Sequence, residues 1–241
     1  MRVAATSDIH GDLSGIEQIV KDRGVELLCI AGDIHPCELG VNADEWFRRK
    51  FFRMVRKLPC EVVAIPGNHD FWLRDMITLG QVAAISPKNF HLLCNSEFSI
   101  NGLRIYGTPN VPFISGHWCW EGDDVGDELE NVFSHIPEGL DILLTHSPMR
   151  FQDTDYSLER DIMKTRPFGS VALLRRLKSM KELPKVHFCG HIHSGSHRGY
   201  TFSNEVCAHS MRTFNVSRVD ERYLVRYPLQ VVELVGNEVL T

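Results

Sequence analysis

Five short, largely apolar runs constrain this chain most, because each breaks off into Asp, Asn or His. Arg2 to Thr6 ends in Ser7-Asp8, Glu26 to Ala31 in Gly32-Asp33, and Glu61 to Ile65 in Pro66-Gly67-Asn68. Asp141 to Thr145 ends in His146, and Lys185 to Cys189 in Gly190-His191. Runs this short and this apolar read as strands buried on both faces. Helical patterns lie between them. Leu13, Ile16, Ile19 and Val20 recur at helical spacing, and Asp44 to Leu58 gathers Trp46, Phe47, Phe51, Met54, Val55 and Leu58 on one side. Strands alternating with helices give an α/β chain.

The middle of the chain adds Phe98 to Tyr106, where Asn101-Gly102 between alternating runs predicts a type I′ hairpin. A loop rich in Pro, Gly and Trp runs from Thr108 to about Gly122, followed by a helix to about His135. Ser147 to Phe168 is polar and too long for an idle connector, so it reads as a functional loop. A helix from about Ser170 to Met180 precedes a tail, Arg198 to Leu234, of short strands and turns. With no repeat and no linker, a single domain over 1–241 is expected.

Composition narrows the function classes. A net charge of −5 is a poor footprint for a protein that tracks a nucleic-acid backbone, so a long nucleic acid is not an expected partner. Nothing approaches the ~18 consecutive apolar residues of a membrane span. The opening MRVAATSDIHGD lacks the apolar core of a secretory signal. Seven scattered Cys without a CxxC pair read as reduced thiols, which points to the cytoplasm.

Ligands in open α/β sheets sit at the carboxyl ends of strands. The five ends deliver Asp8, His10, Asp33, Asn68, His146, His191 and His193 to one edge, with His69 and Asp70 beside them. These are N and O ligands for divalent metals. Seven exceed one four-coordinate zinc and suit two adjacent ions ~3.5–4 Å apart that share a carboxylate. Gly32, Gly67 and Gly190 beside them suit a chain needing φ > 0 or close backbone approach.

The order DxH, GD, GNHD, H, GHxH, from Asp8 to His193, resembles the calcineurin-like metallophosphoesterase family. The segments around Tyr106, from Ile136 to Pro148 and from Lys185 to His193 resemble its small metallophosphoesterase-domain-containing phosphodiesterases. The resemblance implies a four-layer α/β/β/α sandwich with two divalent transition-metal ions (Mn first; Fe, Zn, Co or Ni also suit). It implies one ion on Asp8, His10 and His193, a second on Asn68, His146 and His191, and Asp33 bridging. A hydroxide between the ions would attack phosphorus, and His69 would protonate the leaving oxygen. The implied substrate is a small phosphoester, a small or cyclic diester ahead of a nucleotide or phosphosugar monoester. A nuclease of the same superfamily and a catalytically silent metal-binding scaffold are the other readings. The sequence leaves the oligomeric state open.

One departure stands out. Many members carry GDxxD, whose second Asp orients the catalytic His, but here Pro36 stands in its place. Asp70, Glu38 or a backbone carbonyl are the alternatives. Around the site, His35, Trp118, Arg150 and Arg198 are candidate substrate contacts, with Trp72, His117, Arg160, Arg166 and His197 weaker ones. Each also has an ordinary reading as a packed or solvated residue. His91, His135, His187 and His209 carry no pattern and read as plain core or surface histidines.

Overall fold

The computed structural model describes residues 1–36, 38, 40–150, 168–195, 199–236 and 238–241. In the first half, β1 (Arg2–Thr6), β2 (Leu27–Ala31), β3 (Glu61–Ile65) and β4 (Phe90–Leu92) are mutually parallel. Helix α1 (Ile16–Asp22) joins the first two strands. The predicted Asp44–Leu58 helix appears as α2 (Ala43–Trp46), a π-helical turn (Phe47–Phe51) and α3 (Phe52–Val55). Asn42 caps α2 by accepting from the Glu45 N–H. The widened turn brings Phe47, Phe51 and Phe52 into the core together, all fully buried. Two helices without a clear apolar period follow β3: α4 (Phe71–Thr78) and α5 (Val82–Ile85).

Next come β5 (Ser96–Ile100) and β6 (Leu103–Thr108), paired as the expected hairpin. Asn101 and Gly102 have φ of 50° and 82°, the left-handed values a type I′ turn requires. The Trp-rich loop is pinned by a short pair, β7 (Val111–Pro112) and β8 (Glu121–Gly122). Helix α6 (Asp127–Ser134) leads to β9 (Ile142–Thr145). Helix α7 (Val171–Ser179), capped by the Ser170 hydroxyl, leads to β10 (Val186–Cys189). The tail supplies β11 (Gly199–Phe202), β12 (Met211–Asn215), β13 (Gln230–Val235) and β14 (Glu238–Leu240).

These strands form two six-stranded mixed sheets, ordered β14-β13-β1-β2-β3-β4 and β11-β12-β10-β9-β6-β5. Alternation along each strand sets the layers. Val3, Ala5, Leu27, Cys29, Val63 and Ile65 of one sheet pack on Ile105, Ile142, Leu144, Val186, Phe188 and Phe214 of the other. The opposite face of the first sheet meets the Phe47, Phe51 and Phe52 cluster. Leu143 of the second meets Leu129, Phe133, Leu173 and Leu177 of α6 and α7. The fold is therefore the α/β/β/α sandwich. No helix among the described residues is long and apolar enough to cross a membrane.

Candidate metal centre

The carboxyl ends of β1, β2, β3, β9 and β10 meet at one edge, so the two sheets contribute unequal halves of a single site. Backbone bonds zip the loops together: Asp8 N–H to Gly32 O, His10 N–H to Asp33 O, and Gly190 N–H to His146 O. Asp8, His10, Asp33 and His191 all have positive φ, between 38° and 67°. Non-glycine residues avoid that region unless the surroundings impose it, and functional sites concentrate such strain. The glycines provide room. A Cβ at Gly67 would collide with the Asp33 carboxylate, and one at Gly190 with Asp8 and Ser7.

Two groups of ligand atoms each lie within 4.8 Å of one another: Asp8, His10 and His193, and Asp8, Asp33 and His146. Asp33 Oδ2 stands 3.3 Å from His146 Nε2, 3.8 Å from His10 Nε2 and 3.9 Å from His69 Nε2. Asn68 Oδ1 lies 3.0 Å from His146 Nε2, and the His191 ring sits 5.1 Å from that of His146. All seven expected ligands are thus brought to one place. Asp8 is common to both groups, while Asp33 faces histidines from both sides.

The hydrogen bonds around the site have a defined direction. His146 Nδ1 lies 2.8 Å from Ala31 O, and His193 Nδ1 lies 3.2 Å from Asp220 O. A carbonyl only accepts, so each Nδ1 carries the proton. Each Nε2 then faces a carboxylate, Asp33 for His146 and Asp8 for His193 at 3.2 Å, a position that takes either a proton or a cation. Acceptors converging on acceptors require a proton or a cation between them, and carbonyl-held histidines opposite carboxylates are a metal-site arrangement.

Electrostatics agree. Burial opposes charge on Asp8 and Asp33, yet the surrounding histidines hold both below the usual carboxylate range. Burial likewise opposes charge on His146, but Asp33 and Asp8 push it up to about 9. Burial brings His10 and His191 down to about 4. The Asp8 carboxylate is further anchored by the His191 N–H and, at 2.7 Å, by the Ser217 hydroxyl.

His69 and Asp70 lie at different depths. His69 lines a cavity of about 400 Å³ together with Asp33, Asn68, His191, His193 and Trp118. Its N–H donates to Asp33 Oδ1 at 2.9 Å, and its ring lies 4.3 Å from that of Trp118. Asp70 is fully buried behind it. Its carboxylate accepts from the N–H groups of Ile34, His35 and Gly67, tying the GD loop to the GNHD loop. Burial, with the Asp33 charge, pushes Asp70 up to about 7.

Of the candidate substrate contacts, Trp118 reaches the cavity. The His35 ring lies 5.7 Å from that of Trp46 and 5.8 Å from that of Phe47, and its backbone N–H donates to Asp70. Trp72 stacks on Phe47 at 4.6 Å in the same packing. Arg150 Nε is taken up by Gly169 O. Arg160, Arg166, His197 and Arg198 lie outside the described residues. Ser217, Asp220 and Tyr223 were not singled out by sequence, since no motif marks the polar segment carrying them. Tyr223 also lines the cavity.

The calcineurin-like phosphoesterase family model matches residues 1–217. Human metallophosphoesterase domain-containing protein 1 is 31% identical over 216 residues, covering 80% of this chain and 61% of the relative. The chain thus spans about three fifths of the length of that relative. Among solved structures, TT1561 of Thermus thermophilus has a TM-score of 0.59 at 15% identity over 95% of this chain and 97% of that one. GAP50 of Plasmodium, described as the anchor in the inner membrane complex, has a TM-score of 0.52 at 13% identity, over 96% of this chain and 80% of that one. These two likenesses concern the fold alone. With the family model matched across most of its length, the chain belongs to the calcineurin-like phosphoesterase family.

Proposed function

We propose that this chain is a dimetal-dependent phosphoester hydrolase, a single domain over 1–241 that acts in the cytoplasm on small or cyclic phosphodiesters. The observation that carries the reading is the convergence of candidate ligand atoms from five strand ends beside a cavity lined by Asp33, Asn68, His191, His193 and His69. Asp8, His10 and His193 would hold one divalent ion, and Asn68, His146 and His191 a second, with Asp33 between them. Manganese is the first candidate. Ions bound there would neutralise phosphoryl oxygens and lower the pKa of water.

The chain's own residues do the rest. The Ala31 and Asp220 carbonyls fix the ring orientation of His146 and His193, so their Nε2 atoms face Asp33 and Asp8 without rearrangement. His69, with its side chain 19% exposed to the cavity, is placed to give a proton to a leaving alkoxide. Burial lowers its pKa while Asp33 opposes that shift, which suits a group that must both give and regain a proton. No Arg or Lys lines the cavity among the described residues, whereas Asp33 and Glu221 do. With Asp33 taken up between the ions, the Glu221 carboxylate on the wall favours a singly charged diester over a doubly charged monoester.

The test is a panel of mono-, di- and cyclic phosphates with several added metals, run on the parent and on Asp33→Ala. The parent is expected to carry close to two metal equivalents and to turn over diesters faster than monoesters. Asp33→Ala should lose metal and activity together. Hydrolysis of bis-p-nitrophenyl phosphate by Asp33→Ala at the parent rate overturns the site, and faster monoester turnover overturns the diester preference.

A further inference from the structure

The turn that completes the cavity wall lies beyond the span shared with the family model. After Ser217 the chain doubles back, with Val219 bridging Val225. Asp220 organises the turn between them. Its carboxylate accepts from the N–H groups of Arg222 and Leu224 at 2.9 and 3.0 Å and from Arg226 Nε at 2.8 Å. These bonds, the Arg226 contact first, hold the Asp220 carboxyl down at about 2. Its carbonyl accepts from the Tyr223 N–H at 2.9 Å and faces His193 Nδ1. Tyr223 is thereby fixed at a φ of 60°, a conformation side-chain-bearing residues avoid.

That strained residue points at the site. The Tyr223 ring meets His10 edge to face at 4.8 Å and His193 at 5.2 Å, while remaining 49% exposed on the cavity wall. On the other side, Trp118 leans on His69. The aromatic surfaces therefore flank the histidines at both ends of the floor. Next to Tyr223 the charged lining group is Glu221, which repels a second phosphate but not an uncharged ring. Half-exposed aromatic rings bracketing a polar floor match a ligand that has a charged head and a flat apolar body.

We propose that Tyr223 is a specificity-determining residue that contacts an uncharged aromatic group esterified to the phosphate, and that Asp220 is its positioning residue. The proposal rests on the phosphoesterase reading for its ligand class and excludes polyphosphate chains from that side. It is tested with manganese-loaded full chain by calorimetric titration of phenyl phosphate and of inorganic phosphate. The parent should prefer phenyl phosphate. Tyr223→Ala should cut that preference by about three- to tenfold, the range of one aromatic contact, and Tyr223→Phe should keep it. Asp220→Ala should behave like Tyr223→Ala, and Asp220→Asn, which retains an acceptor oxygen, should restore the preference. For bis-p-nitrophenyl phosphate the loss should fall on KM.

No preference in the parent, an equal preference in Tyr223→Ala, or loss of bound metal from Tyr223→Ala would each overturn the assignment. The last result would make Tyr223 a prop for His10 and His193. If the parent hydrolyses no phosphoester, the proposed activity fails, while the binding ratios still decide the role of Tyr223.

Discussion

His187 sits fully buried on β10, and its hydrogen bonds can be read as a one-way chain. The Ser147 carbonyl only accepts, so Thr145 Oγ1 donates to it at 2.5 Å. Thr145 Oγ1 then accepts from His187 Nε2–H at 2.8 Å, leaving Nδ1 to accept from the Thr213 hydroxyl at 2.8 Å. A second proton on this fully buried ring would have to reverse the Thr213 bond, and burial pulls the pKa from 6.5 down to about 3. Below 6.5 the unfolded chain binds this proton and the folded chain does not, so stability falls as pH falls. With folded and unfolded values of about 3 and 6.5, the loss between pH 7 and pH 5 comes to about 2 kcal/mol. His187→Gln keeps a donor and an acceptor but cannot titrate. Urea unfolding of metal-stripped protein should show the acid-induced loss shrinking by about 2 kcal/mol in the variant. Contributions from the other histidines are common to both proteins and cancel. An equal loss in parent and variant would refute the reasoning.

Two further outcomes follow from the site. His69→Ala should retain its metal yet lose about 10²–10⁴ in turnover on an ester with a poor leaving group, and much less on a nitrophenyl ester that leaves unaided; equal losses on both would remove His69 from proton transfer. The Glu121 carboxylate gathers the N–H groups of Ile114, Ser115, Gly116 and Trp118, and these bonds hold its carboxyl at about 2 despite some burial. Glu121→Ala should therefore free the Trp118 loop, raise KM several-fold and lower stability by about 1 kcal/mol; an unchanged KM would show that Trp118 does not meet substrate.

The strand ends were legible because a strand buried on both faces is a local, continuous apolar run, and a ligand beside it needs no distant partner to be noticed. That the strands belong to two sheets was not legible from those runs; the family resemblance supplied it. Pairings such as β6 with β9 and β10 with β12 join segments tens of residues apart, and nothing in either run names its neighbour. Strand β4 is three residues long, and α4 and α5 together keep only Leu73 buried, so neither carries a usable period. Pro36 raised the question of what replaces a missing aspartate. The structure shows Asp70 holding the loop backbone and Trp118 against the His69 ring. Tyr223 was invisible for a different reason. Its segment is polar, and its importance comes from a backbone turn rather than a residue pattern.

Because Asp8, Asp33 and Asn68 follow strands of one sheet while His146, His191 and His193 follow strands of the other, the two halves of the centre sit on different plates, stitched at the site by the Ser7–Ser217 backbone bridge and elsewhere pressed together by side chains. Their spacing is set by Cys29, Val63, Ile142, Phe188 and their neighbours in the layer between. A methyl group gained or lost there would shift one plate against the other and change the gap between ligand sets without touching a ligand. If the proposed activity holds, variation that tunes it is to be sought deep in the apolar seam, far from any polar residue, as readily as at the cavity itself.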